Sequence, residues 1–88
     1  MYTIQKTDSF DHWLNQLRDQ VALAGIIQRL KMLEAGHWGD RKYLGSGISE
    51  LRIHFSGGYR LYYFQSGHDI IVLLCGGIKS SQKSDIAK

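Results

Sequence analysis

A set of cationic, aromatic and amide side chains lies between residues 48 and 83, and its members are Arg52, His54, Arg60, Tyr62, Lys79, Gln82 and Lys83. Cleaving RNA without a metal needs a base for the 2′-hydroxyl proton, cations that hold the phosphate as negative charge builds up, and an acid for the departing 5′-oxygen. Arginines on adjacent strands can meet the second need. For proton transfer the candidates are His54, Tyr62 and Lys79.

Alternation of apolar and polar residues predicts that this segment forms antiparallel strands, because successive side chains of a strand point to opposite faces. We predict a three-residue turn at Ser56, Gly57 and Gly58. The predicted pairs on the apolar face are Phe55 with Tyr59, Ile53 with Leu61, and Leu51 with Tyr63. The predicted pairs on the other face are His54 with Arg60, Arg52 with Tyr62, and Glu50 with Phe64. A one-residue slip would move the apolar set to the wrong face.

The second face of this sheet is therefore expected to be exposed, at least in part, and to carry two arginines, a tyrosine and a histidine. Such a surface suits a phosphate backbone and stacked bases. The alternative is that these charges only solvate the outer side of the sheet. The alternation alone does not decide between the two.

The other elements must bury the apolar face. Residues 2–5 predict a short strand, and Thr7 or Asp8 is a good N-cap. Two helical stripes follow, at Phe10, Trp13, Leu14 and Leu17, and at Leu23, Ile26, Ile27, Leu30 and Leu33, with Gly36 as a left-handed helix end. Trp38 is expected either to pack at the edge of the core or to stand exposed, and the high average burial of Trp favours the first. Residues 43–44 predict a short strand, residues 70–74 a central one, and the last residues a short helical turn. The fold class is α+β, with two N-terminal helices on one face of a small, mainly antiparallel sheet.

The length and composition indicate one domain over residues 1–88. The distribution of charge indicates that an anionic partner would bind the second half of the chain. Residues 1–40 carry four Lys/Arg against five Asp/Glu, giving −1, and residues 41–88 carry seven against three, giving +4. The single cysteine, Cys75, is expected to be a core residue and not a nucleophile. The four histidines lack the spacing of metal ligands. No signal peptide or long apolar run is present, so we expect a cytoplasmic protein without a membrane span.

The residues also resemble a known group of proteins. The resembling positions are Phe10, Trp13-Leu14, Leu17, Arg29-Leu30, Gly39-Asp40, Lys42, Glu50-Leu51-Arg52-Ile53, Gly58-Tyr59-Arg60, Leu73 to Gly77, Lys79, Ser80, Gln82 and Asp85-Ile86. In this order they resemble the RelE/ParE superfamily of type II toxin–antitoxin toxins, and more closely the HigB-like group called addiction module killer proteins. The resemblance spans nearly the whole chain.

This resemblance implies an mRNA endonuclease that needs no cofactor and usually acts on the ribosome. It is neutralised by an adjacently encoded antitoxin, expected here to be of the helix-turn-helix type and to form a hetero-oligomer with the toxin. It implies that Arg52, Arg60 and Lys79 surround the scissile phosphate, and we expect Lys42, His54, Tyr62, Gln82 and Lys83 to contact RNA.

The chain also departs from the group. Several RelE-like nucleases carry a tyrosine or histidine near the C-terminus for proton transfer, and this chain has neither after Lys79. Two alternatives therefore stay open: a ParE-like inhibitor of DNA gyrase, and a non-enzymatic module that acts only in its antitoxin complex.

Overall fold

The computed structural model describes residues 1–54 and 58–78, which form a five-stranded sheet and two helices. The elements in chain order are β1 (Thr3–Lys6), α1 (Asp8–Asn15), α2 (Gln20–Glu34), β2 (Arg41–Gly45), β3 (Ile48–Ile53), β4 (Tyr59–Ser66) and β5 (Ile70–Ile78). The strand order is β1-β5-β4-β3-β2, with β1 parallel to β5 and the other neighbours antiparallel. The predicted α+β class is confirmed. The predicted C-terminal helical turn lies outside the described residues.

Short polar side chains begin both helices. The Thr7 hydroxyl accepts a hydrogen bond from the Phe10 amide at 3.1 Å, so Thr7 and not Asp8 is the N-cap of α1. The Asp19 carboxylate accepts from the amides of Val21 and Ala22 and caps α2. Gly36 follows the end of α2 with φ 91°, the left-handed conformation predicted for it. These caps satisfy amide groups that the first turns leave without helical partners.

The core lies between the helices and one face of the sheet. The helices contribute Phe10, Ala22, Ile26, Leu30 and Leu33, and the strands contribute Leu51, Ile53, Tyr59, Leu61, Tyr63, Ile71 and Leu73. The prediction that Ile27 belongs to the core is wrong, because this residue is 42% exposed. The buried positions of α2 are spaced four and three residues apart, and Ile27 lies one position around the helix from Ile26.

The register of the β3–β4 hairpin differs from the predicted one by two residues. Ile53 pairs with Tyr59 and Leu51 with Leu61, so the predicted pairs Ile53 with Leu61 and Leu51 with Tyr63 are wrong. The predicted turn at Ser56, Gly57 and Gly58 falls partly outside the described residues. A shift of two residues keeps every side chain on its predicted face, which is why alternation cannot detect it. The shift matters for the second face, because it sets Arg52 directly opposite Arg60.

The remaining strands form where they were predicted, although β5 continues beyond the predicted residues 70–74 to Ile78. Strand β5 lies between β1 and β4, as predicted for a central strand, and β2 contains the predicted residues 43–44. Trp38 packs at the edge of the core, stacked on Tyr63 at 5.7 Å between ring centroids and edge-on to Tyr2 at 5.0 Å. Neither helix has the length and apolar character that crossing a membrane requires, within the residues described above.

Candidate functional site

Two arginines and one glutamate form a compact ionic group on the sheet face away from the core. Arg52 of β3 and Arg60 of β4 are direct cross-strand partners. Glu50 lies two residues before Arg52 and therefore on the same face. One carboxylate oxygen of Glu50 accepts a hydrogen bond from Arg52 Nε at 2.9 Å, and the other lies 3.8 Å from Arg60 Nε. Two guanidinium groups thus share a single carboxylate, which leaves one positive charge in excess.

This group is far less exposed than the sequence suggests. Glu50 is fully buried, and only 7% of Arg60 and 2% of Tyr62 is exposed, whereas 30% of the Arg52 side chain is exposed. The expectation that Arg60 and Tyr62 lie on an exposed face is therefore wrong. A carboxylate can be removed from water only when cations accompany it, so burial of Glu50 brings its arginine partners inside with it.

Arg60 has hydrogen-bonding capacity to spare. Its Nε and Nη1 atoms are buried and have no hydrogen-bond partner among residues 1–54 and 58–78. Between them these atoms carry three N–H donors. Leaving a buried donor without an acceptor costs about 1–3 kcal/mol. An anion with several oxygens, such as a phosphate, is the kind of ligand that satisfies a planar guanidinium.

A histidine–carboxylate pair lies beside Arg52. His54 follows the end of β3, and its Nε2 is 2.5 Å from the Asp40 carboxylate. The hydrogen bond from His54 is the main reason that the pKa of Asp40 is below its ordinary value, and the positive charges of Arg52 and Arg29 lower it further. The carboxylate is therefore ionised at neutral pH, and it holds the imidazole in one orientation.

Arg29 of helix α2 holds the backbone around this pair, a structural role that sequence reasoning missed. Its guanidinium donates to the carbonyl oxygens of Arg52 at 2.8 Å, Trp38 at 3.1 Å and Asp40 at 2.9 Å. Burial lowers the pKa of Arg29 below its ordinary value, and the negative charge of Asp40 partly opposes this shift. The guanidinium fills the space where a side chain at Gly39 would begin, since a Cβ there would lie 2.6 Å from Nη2. The bonded carbonyls are distant in sequence, so no local pattern reveals them.

The other residues predicted to bind RNA are partly accounted for. Lys42 is exposed on β2, and its cross-strand partner is Glu50, whose partner on the other side is Tyr62. Lys42, Glu50 and Tyr62 thus lie side by side across three strands, and on this face of the sheet they are the neighbours of the Arg52–Arg60 pair. Lys79, Gln82 and Lys83 lie outside the described residues. Cys75, predicted to be a core residue, is half-buried opposite Tyr62 on β5.

Metal ligation finds no support in the side-chain geometry of residues 1–54 and 58–78. Within these ranges no three residues of the His, Cys, Asp and Glu types converge as a metal ion would require.

Comparison with known proteins places the chain in a family. Residues 12–88 match the model of the phage-derived Gp49-like proteins. The chain belongs to this Gp49-like family. The family is related to the RelE/HigB-like toxins. An uncharacterized protein of Haemophilus influenzae (strain ATCC 51907 / DSM 11121 / KW20 / Rd) is 45% identical over 83 residues, which cover 94% of this chain and 84% of that protein.

Proposed function

We propose that this Gp49-like protein is the toxin of a type II toxin–antitoxin module, and that it cleaves mRNA in the cytoplasm, on the ribosome and without a metal. The observation that carries the proposal is the pair of facing arginines, one of which keeps buried N–H groups without acceptors in the described residues. The relation of the Gp49-like family to RelE/HigB-like toxins supports the same conclusion. A cognate antitoxin, of the helix-turn-helix type and encoded alongside, completes the module.

The arginines supply the electrostatic part of the reaction. Attack of a 2′-oxygen on the phosphorus builds negative charge on the two non-bridging oxygens. Arg60 offers donors in a site of low exposure, where a hydrogen bond to an anion is stronger than in water. Arg52, which is more exposed, meets the incoming phosphate, and Glu50 holds its Nε in place. Lys79 is proposed as a third cation at the scissile phosphate.

The surrounding side chains are proposed to bind the RNA strand. Lys42 is exposed in the row next to the arginines and suits a neighbouring phosphate. Gln82 and Lys83 are proposed to extend this contact. Tyr62 is almost fully buried, so it supports the floor of the site and is not available to stack on a base in this conformation.

The test is 5′-end mapping of a reporter mRNA in a translating extract. We compare the unchanged protein with Arg52→Ala and Arg60→Lys, and with Arg18→Ala as the control, because Arg18 is exposed between the two helices. Losing one donor that stabilises the transition state lowers cleavage by ~10²-fold. Cuts that follow the reading frame, persist in Arg18→Ala and fall in the other two variants are the expected result.

Intact mRNA in the presence of unchanged, folded protein would contradict the proposal. A DNA supercoiling assay then tests the gyrase alternative, and binding to the antitoxin and its operator DNA tests the purely regulatory one. The lysine at position 60 keeps a counter-charge for Glu50, so a folded Arg60→Lys protein separates loss of the guanidinium from loss of the fold. Thermal unfolding of each variant verifies this.

A further inference from the structure

The histidine–carboxylate pair of His54 and Asp40 has the features of a proton-transfer group. The His54 side chain is 67% exposed and that of Asp40 is 44% exposed, so a substrate can reach both. Nε2 of the imidazole is the atom that faces the carboxylate. A neutral imidazole in this contact carries its proton on Nε2, and Nδ1 then presents a lone pair. An oriented imidazole whose second nitrogen has no hydrogen-bond partner among residues 1–54 and 58–78 suits a general base.

Backbone hydrogen bonds and an electrostatic interaction connect the His54–Asp40 pair to Arg52. The Arg52 amide donates to the Asp40 carbonyl oxygen at 2.9 Å, which ties the start of β2 to the end of β3. Arg29 donates to that same carbonyl and to the carbonyl of Arg52. The positive charge of Arg52 acts on the Asp40 carboxylate. His54 lies two residues beyond Arg52, so the pair stands at the exposed end of the face that carries Arg52 and Arg60.

We propose that His54 is the general base of RNA cleavage and that Asp40 is its positioning residue. This inference rests on the proposed function and supplies the proton-transfer group that the chain lacks after Lys79. Nδ1 takes the proton of the 2′-hydroxyl while the O2′–P bond forms. The P–O5′ bond breaks, and the 5′-oxygen takes a proton from water. The imidazolium then returns its proton to the hydroxide, and the products are a 2′,3′-cyclic phosphate and a 5′-hydroxyl with no net use of water.

The experiment measures single-turnover cleavage of mRNA on programmed ribosomes, together with the Kd of each protein for those ribosomes. The variants are His54→Ala, His54→Gln and Asp40→Asn. The matched control is His68→Ala, since His68 is exposed in the β4–β5 turn and accepts a hydrogen bond from Gln65 Nε2 through its backbone carbonyl. Each His54→Ala reaction is repeated with free imidazole, which can replace a missing base but cannot repair a fold.

We expect His54→Ala and His54→Gln to cleave ~10²-fold more slowly with Kd unchanged within about twofold. Added imidazole restores part of the rate of His54→Ala and leaves His68→Ala unaffected. Asp40→Asn loses about tenfold or more in rate, because the amide no longer selects the Nε2 tautomer. All variants unfold at the temperature of the unchanged protein within a few degrees, since the pair is exposed.

Different failures have different meanings. If the unchanged protein cleaves and His54→Ala cleaves as fast, the inference is wrong and the proposed function stands. If His54→Ala loses affinity and imidazole restores nothing, His54 only binds RNA and the inference is again wrong. If the unchanged, folded protein does not cleave mRNA, both the proposed function and the inference that rests on it are wrong.

Discussion

Glu50 is the residue on which the ionic group depends. It is fully buried, it lies within 3.8 Å of both guanidinium groups, and it separates two arginines that face each other across neighbouring strands. Like charges at directly opposite positions of a sheet repel. The Glu50 carboxylate therefore stabilises the close approach of Arg52 and Arg60 on neighbouring strands.

Replacing Glu50 by Gln removes this charge while keeping the volume of the side chain. We expect the free energy of unfolding, measured by urea denaturation, to fall by about 3–5 kcal/mol, because two buried or half-buried arginines lose their counter-ion. Asp69→Asn is the control, since Asp69 is an exposed acid in the β4–β5 turn, and its expected change is within about 0.5 kcal/mol.

A second substitution checks the cause. In the Glu50→Gln background, Arg52→Gln removes one of the repelling charges, so it costs less there than in the unchanged protein. Equal stability of Glu50→Gln and the unchanged protein would show that the ionic group does not depend on the carboxylate.

At the scale of elements, helix α1 is positioned by the absence of a side chain on β5. Gly76 pairs with Leu61, and a Cβ at position 76 would lie 2.4 Å from Cζ3 of the Trp13 indole. The indole also contacts Phe10 and Tyr59, with ring centroids 5.8 and 6.2 Å away. The Trp13 indole therefore occupies the space that a side chain at position 76 would need, and α1 approaches the sheet closely at this point.

Gly76→Ala should displace the indole and, with it, helix α1. Overpacking of this kind costs about 1–3 kcal/mol of unfolding free energy, and near-ultraviolet circular dichroism should register the altered environment of Trp13. The cost should shrink when Trp13→Leu is present, because the smaller side chain leaves room for the methyl group. An equal cost in both backgrounds would locate the strain elsewhere.

The elements could be predicted from the sequence where a local rule governs them. Thr7 begins α1 and Gly36 follows the end of α2, as predicted from short-range rules, and alternation assigned the residues of β3 and β4 to their correct faces. The hairpin register could not be predicted, because a two-residue shift preserves the faces.

Burial of the ionic group could not be predicted either, since it depends on how Glu50 pairs across strands. The structural role of Arg29 could not be predicted either, because the backbone carbonyls that accept its hydrogen bonds are 9, 11 and 23 residues away in the sequence. Lys79, Gln82 and Lys83 stay predictions, as they lie outside the described residues, and the assignment of RNA contacts to Lys42, His54 and Tyr62 stays a prediction as well.

For the molecule as a whole, charge is separated between the two halves of the chain. The helical half has a small negative balance and the half that contains β2 to β5 has a balance of +4. Under the proposed function we therefore expect the RNA strand to bind the second half of the chain and not the helical half, and to displace counter-ions where it binds.

This separation predicts the salt dependence of RNA binding. The affinity for a short single-stranded RNA should fall as salt rises, with a slope in a log–log plot of about −0.7 for each phosphate contacted. Arg52→Ala should make this slope shallower by about 0.7, whereas Arg18→Ala should leave it unchanged. Fluorescence anisotropy at several salt concentrations measures both, and identical slopes in Arg52→Ala and the unchanged protein would contradict a phosphate contact at this residue.

The parallel pairing of β1 with β5 also has a consequence for biosynthesis. Thr3 pairs with Ile70, and the Thr7 hydroxyl donates to the Leu74 carbonyl oxygen across 67 positions of the chain. Strand β5, which lies between β1 and β4, is thus made after both of these neighbours, and β1 can pair with it only once the other strands have been synthesised. Closing so long a loop is entropically costly and slow. The nascent chain therefore completes its sheet only when β5 has left the exit tunnel, and no shorter nascent fragment holds the native arrangement.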